Sequence, residues 1–113
     1  MSTRDWKLRI EDILEAIERI EQYTAGYGFE QWQQDQKTID AVIRNFEIIG
    51  EAAKHVPSHV QTLFPDVPWG KMKGIRNLLI HEYFGVDAEV IWKTVQEDLP
   101  GLESHLVKIL DFD

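Results

Sequence analysis

The chain has 113 residues, is 43% hydrophobic and 28% charged, and carries a formal net charge of −8. That is enough apolar material for one buried core but too little chain for two, so a single domain over residues 1–113 is expected. The absence of cysteine excludes disulfides and thiolate metal sites, and the acidic balance argues against a protein that coats nucleic acid by neutralising phosphates.

Along the chain, Ile10, Ile13, Leu14, Ile17 and Ile20 fall at the i, i+3, i+4, i+7 spacing of an amphipathic helix. The first helix is therefore placed at about residues 4–24, ended by Gly26 and Gly28. The stretch YGFEQWQQDQK, residues 27–37, receives no assignment. A second helix is expected from about Asp35 to His55, with Ile39, Val42, Ile43, Phe46, Ile49 and Ala53 on its buried stripe, and Pro57 closing it. The linker PSHVQTLFPDVPWG holds three prolines and room for one short helical turn near Val60 to Phe64. Asp66 or Val67, followed by Pro68, opens a third helix over about 68–83, because proline suits the first helical turn. Gly85 is its natural stop, and Asp87 is an N-cap for the helix in VIWKTVQEDL. Pro100 marks a kink or a fresh start, with GLESHLVKIL continuing towards the C-terminus. No alternating strand pattern, repeat or low-complexity segment is present. The expected fold is all-α, an up-and-down bundle of four main helices whose last member is kinked or split.

The N-terminus is charged from Arg4 onward and lacks the apolar core of a signal peptide. No apolar run approaches the roughly 20 residues of a membrane span. A soluble, cytoplasmic protein without a membrane partner is the expectation.

Chemistry concentrates in the third helix. Residues 52–81 carry Lys54, Lys71, Lys73 and Arg76 against only Asp66. Within RNLLIHEYF, Arg76, His81 and Tyr83 interrupt an otherwise apolar helical run. At about 100° per residue, Met72, Ile75, Leu78 and Leu79 share the core side. Arg76 and Tyr83 lie only about 20° apart, and His81 about 140° from Arg76, with Lys73, Asn77 and Ile80 in the arc between. One straight helix does not bring Arg76 and His81 to a point. The helix frays near His81, or Arg76 reaches round, or a symmetric partner supplies a second set. Two arginines and two histidines in one cleft would suit metal-free cleavage of RNA, with histidines as general base and acid and arginines gripping phosphate. The same residues also admit a plainer reading: a histidine near a helix C-terminus is favoured by the dipole alone, and a tyrosine beside a core is usually packing.

Other polar groups admit the same two kinds of reading. His55 and His59 are four apart, but Pro57 and Ser58 lie between them and further ligands are missing, so no metal is expected. Glu47 and Glu51, one turn apart in FEIIGEAAK, read as a solvated face or as carboxylates orienting Arg76 or His81 across the bundle. Of four tryptophans, at 6, 32, 69 and 92, Trp92 has buried spacing. Trp69 stands beside Lys71 and Lys73, and these three are the candidates for RNA contact.

RNLLIHEY resembles the Arg-x4-His-x-Tyr motif of the HepT-like toxins, a branch of the HEPN superfamily formerly called DUF86. IEDILEAIERIEQYT, AVIRNFEIIGEAAKHVP, WGKMKGIRNLLIHEYFGVD and VIWKTVQEDLPGL resemble, in order, that family's successive helices, so the likeness spans nearly the whole chain. The resemblance implies a HEPN-like helical bundle and a metal-independent endoribonuclease that needs no cofactor. It implies a homodimer with a composite active site, and the toxin of a type VII-like toxin-antitoxin pair. It assigns Arg76 and His81 to catalysis and Asn77 to support. It makes Tyr83 the acceptor of AMP from a cognate minimal nucleotidyltransferase of the MNT class, the antitoxin. AMP there would place negative phosphates where RNA phosphate should sit. The rival reading is a non-catalytic helical module that only binds such a partner.

Overall fold

The structure, a computed structural model, describes residues 3–75 and 88–112. Among them every regular element is a helix. Helix α1 spans Thr3–Thr24. Its stripe of Trp6, Ile10, Ile13, Ile17 and Ile20 is buried, and each fully covered isoleucine stabilises the fold by about 1.5–3 kcal/mol. The helix ends where the Thr24 hydroxyl donates to the Ile20 carbonyl at 2.9 Å. Gly26 then takes φ +78°, a left-handed conformation that side chains rarely adopt.

The unassigned stretch contains a short helix, α2, Phe29–Gln33. It exists to carry Trp32, whose ring is fully covered and whose indole N–H donates to the Ala88 carbonyl at 2.9 Å. Asp35 caps helix α3, Gln36–Lys54, by accepting from the Thr38 amide at 3.1 Å. Its other oxygen accepts from the hydroxyls of Tyr27 and Thr38, both at 2.7 Å. Three hydrogen bonds to one carboxylate thus tie the loop to the helix start. The expected stripe of α3 is buried throughout, from Ile39 to Ala53, and α3 packs along α1.

Past Pro57 the chain makes helix α4, Ser58–Leu63. Helix α5 is described at 69–75; the Pro68 carbonyl accepts from the Met72 amide at 3.0 Å, so proline sits one residue before the first helical turn. Helix α6, Ala88–Lys93, runs through a π-helical turn, Thr94–Asp98, into helix α7, Leu99–Leu110. Pro100 explains the widened turn. It offers no N–H, and its ring would strike the carbonyl four residues back in a regular α-helix. The Leu99 amide instead bonds the Thr94 carbonyl, five residues back. The closing helix is therefore jointed rather than cut.

These helices enclose one core, with Trp32, Phe46, Ile49, Ile91, Leu106 and Ile109 at its centre. Lys7 Nζ reaches across from α1 to the carbonyls of Phe112 (2.6 Å) and Leu110 (3.4 Å), which satisfies acceptors left open at the end of α7. No helix among the described residues is long and apolar enough to cross a membrane.

Candidate functional site

Helix α5 delivers the chain to the candidate site. Its first residue, Trp69, is 7% exposed and donates from its indole nitrogen to the Phe64 carbonyl at 3.0 Å. Met72 is buried one turn on, and Ile75 is half-buried. Lys71 and Lys73 are both exposed, and Lys73 Nζ donates to Gln61 Oε1 at 3.1 Å. The described turn thus presents two exposed cations, on opposite flanks of the buried Met72, shortly before Arg76 in the sequence.

Arg76, Asn77, His81 and Tyr83 lie outside the described residues, as do Leu78, Leu79 and Ile80, the Gly85 stop and the Asp87 N-cap. What the structure gives is how the chain enters and leaves that interval. On the entry side α5 lies against α3 at Gly50. A Cβ placed there would stand 2.8 Å from Ile75 Cγ2 and 3.1 Å from the Met72 carbonyl oxygen. On the exit side, the Ala88 carbonyl is held by the buried Trp32 indole. Trp32 in turn packs on Trp92, ring centroids 5.6 Å apart, and the Phe29 ring lies 6.4 Å from that of Trp92.

A cavity of about 450 Å³ opens beside α5. Phe46, Met72, Ile75 and Leu102 supply its apolar lining, with Lys71, Glu97, Asp98 and His105 among its polar residues.

The remaining sequence candidates fall into place. Trp69 is not available for base stacking: a ring with 7% of its surface exposed has no open face to offer. It is a core anchor, as are Trp6 and Trp32, while Trp92 is partly buried against the same core. Glu47 and Glu51 are largely solvated, with side chains 46% and 61% exposed. Glu47 faces Arg44 at 3.6 Å, and Glu51 faces Lys54 at 3.9 Å and His55 at 3.4 Å, all on or just past their own helix. Those pairs are worth little in water. His55 is the C-cap of α3 and His59 belongs to α4. No group of three or more histidines or carboxylates able to hold a metal ion occurs among the described residues. Sequence reasoning missed Gly50 and Trp32. The signal for Gly50 was present: a glycine inside an otherwise strong helix needs a packing reason.

Comparison with known proteins decides the family. The HepT-like family model, described as "Ribonuclease HepT-like", matches residues 13–109. The chain belongs to the HepT-like family. That family is related to the HEPN-type ribonuclease toxins of toxin-antitoxin systems. A relative from Thermococcus cleftensis named "Probable ribonuclease HepT" is 50% identical over 106 residues, covering 94% of this chain and 96% of the relative. "Putative RNase MJ1380" of Methanocaldococcus jannaschii is 40% identical over 106 residues, 94% of this chain and 97% of its own length. "Putative RNase TTE0752" of Caldanaerobacter subterraneus subsp. tengcongensis is 39% identical over 101 residues, 89% of this chain and 90% of its own. No solved structure matches the chain at a significant level. The HepT-like match runs from within α1 to the last turn of α7 and takes in the whole interval that holds Arg76 to Tyr83.

Proposed function

We propose that this HepT-like chain is a metal-independent endoribonuclease, the toxin of a toxin-antitoxin pair, acting as a homodimer. The observation that carries the reading is the Arg76-x4-His81-x-Tyr83 motif inside a family match that extends over residues 13–109. The names of the three relatives, each of which contains ribonuclease or RNase, support the substrate class.

The chemistry follows from the residue types. One His81 imidazole takes the proton of a ribose 2′-hydroxyl as the 2′ oxygen attacks the adjacent phosphorus. Arg76 holds the non-bridging phosphate oxygens, where negative charge grows as the new P–O bond forms. The bond to the 5′ oxygen breaks, and the His81 of a second protomer protonates the leaving oxygen. The products are a 2′,3′-cyclic phosphate and a 5′-hydroxyl, and DNA, lacking the 2′-hydroxyl, is inert. Asn77 supports the phosphate, and Lys71 and Lys73 guide RNA towards it. A cognate MNT-class nucleotidyltransferase silences the enzyme by transferring AMP from ATP to the Tyr83 hydroxyl, which loses its proton as pyrophosphate leaves, and so sets phosphate charge close to Arg76.

The deciding experiment is cleavage of cellular RNA by unmodified protein in excess EDTA, wild type beside His81→Ala. Wild type is expected to cut and leave cyclic phosphate ends, and His81→Ala to lose at least about a hundredfold in rate, as for loss of a general acid–base group. Absence of cutting by either protein, with mass spectrometry confirming a bare Tyr83, would replace this reading with a module that only binds a nucleotidyltransferase.

A further inference from the structure

We propose that Gly50 is a positioning residue that sets how deeply α5 seats on α3, and thereby the point from which the chain enters the interval that holds Arg76. The inference rests on the reading of Arg76 as a catalytic group.

Gly50 lies inside the 19-residue helix α3, where glycine is the poorest choice short of proline. Its surroundings supply the reason. The space that a Cβ would take is occupied from two sides by α5, with Ile75 Cγ2 at 2.8 Å and the Met72 carbonyl oxygen at 3.1 Å. Carbon–carbon contacts settle at about 3.5–4.0 Å, so a methyl group at this position has to displace something by roughly 0.7 Å. Neither neighbour yields alone. The Ile75 methyl sits on a β-branched side chain with essentially one rotamer in a helix. The Met72 oxygen is backbone, and Met72 itself is buried in the core. The motion open to the pair is a retreat of α5 as a body. Ile75 is the last described residue before Arg76, so the retreat shifts the point at which the chain enters the interval 76–87. Glycines with open space around an added Cβ, such as Gly101 in α7, have no such consequence.

Displacement on this scale is costly to chemistry before it is costly to folding. About 1 Å of misplacement lowers a rate by about a hundredfold. Folding bears the cost of the same crowding, but part of that cost is offset by the helix propensity regained when glycine becomes alanine in a helix interior. A change at Gly50 is therefore expected to weigh more on rate than on folding.

The test uses full-length protein and single-turnover cleavage of total cellular RNA in EDTA. Four variants stand beside wild type: Gly50→Ala, Gly101→Ala, Arg76→Ala, and Gly50→Ala combined with Ile75→Ala. Gly50→Ala is expected to lose about ten- to a hundredfold in rate at saturating protein. The protein concentration giving half the maximal rate should change little, and Gly101→Ala should match wild type. Truncating the Ile75 side chain in the double variant, which takes away the contacting Cγ2 methyl with the rest of the branch, should restore most of the lost rate. A crystal structure of Gly50→Ala should show α5 moved away from α3. Wild-type rate in Gly50→Ala, with Arg76→Ala inactive, would overturn the positioning role and leave the ribonuclease reading standing. Wild type and Arg76→Ala behaving alike would overturn both. If Gly50→Ala does not fold, the double variant decides: folded, cleaving protein upholds the contact, and failure overturns it.

Discussion

Trp69 shows how far a residue type can be read without its surroundings. Beside Lys71 and Lys73 it has the look of a base-stacking platform, and its place at the start of α5 was legible. Its burial was not, because what covers the ring are partners brought from elsewhere in the fold. The Phe64 carbonyl that takes its indole N–H also accepts from the Val67 amide at 3.2 Å, so that oxygen keeps a partner if the indole is removed. Trp69→Phe is accordingly expected to cost about 1–3 kcal/mol of stability, from the lost hydrogen bond together with the space the larger indole leaves in the core. RNA affinity should stay unchanged. Urea denaturation and RNA titration of the same variant check both halves, and a large drop in affinity at unchanged stability would return Trp69 to the RNA surface. Gly50 is the converse case. Its identity is visible in FEIIGEAAK, but the pressure of Ile75 and Met72 upon it is a property of two helices whose touching residues stand 25 positions apart, Gly50 to Ile75.

Elements with strong periodicity were legible almost to the residue. The second helix expected from Asp35 to His55 is bounded by those two residues as N-cap and C-cap. Stretch 27–37 was not legible, because a five-residue helix has no period to read, and its reason for existing is the distant Ala88 carbonyl. Asp35 joins that loop to α3, and its bonds favour the carboxylate form. The Tyr27 hydroxyl and then the Thr38 hydroxyl and amide hold its pKa below the ordinary 3.8. A folded pKa lowered in this way gives stability that is present above the unfolded value and lost as pH falls through the folded one. Asp35→Asn should therefore be less stable than wild type at neutral pH. The gap should close as the pH drops below 3.8, the carboxylate's ordinary value. Thermal melts of both proteins from pH 7 downward measure it, and a gap that does not narrow in acid would show that charge at Asp35 is not what holds the loop.

At the scale of the whole molecule, a net charge of −8 sets RNA binding against the protein's own field. Binding then depends on local cations, and Lys71 and Lys73, both exposed, are the described ones that lead into the candidate site. Replacing either with alanine should weaken RNA binding across sequences. It should also flatten the dependence of log K on log salt by about 1 for each phosphate that the lysine neutralises. A titration series from low to high salt reads that slope, and an unchanged slope would place these lysines off the RNA path. The arrangement of the bundle bears on catalysis in the same way. The interval that holds Arg76, His81 and Tyr83 is entered from a helix seated on Gly50 and left through a carbonyl gripped by Trp32. Those two anchors belong to α3 and α2, far from the motif in sequence.

The amino-acid sequence by itself determined the helical class, the helices α1 and α3 with their buried stripes, the joint at Pro100 and the family. Each of these is written in neighbours within a turn or two: apolar spacing of 3.6 residues, a cap, a missing N–H, an ordered set of short motifs. Only the tertiary structure decided which tryptophans are covered, why α2 forms and why position 50 is glycine. Burial and close approach depend on which element comes to lie opposite. That is settled by contacts such as Trp32 to Ala88, made between residues 56 positions apart, which no local pattern contains.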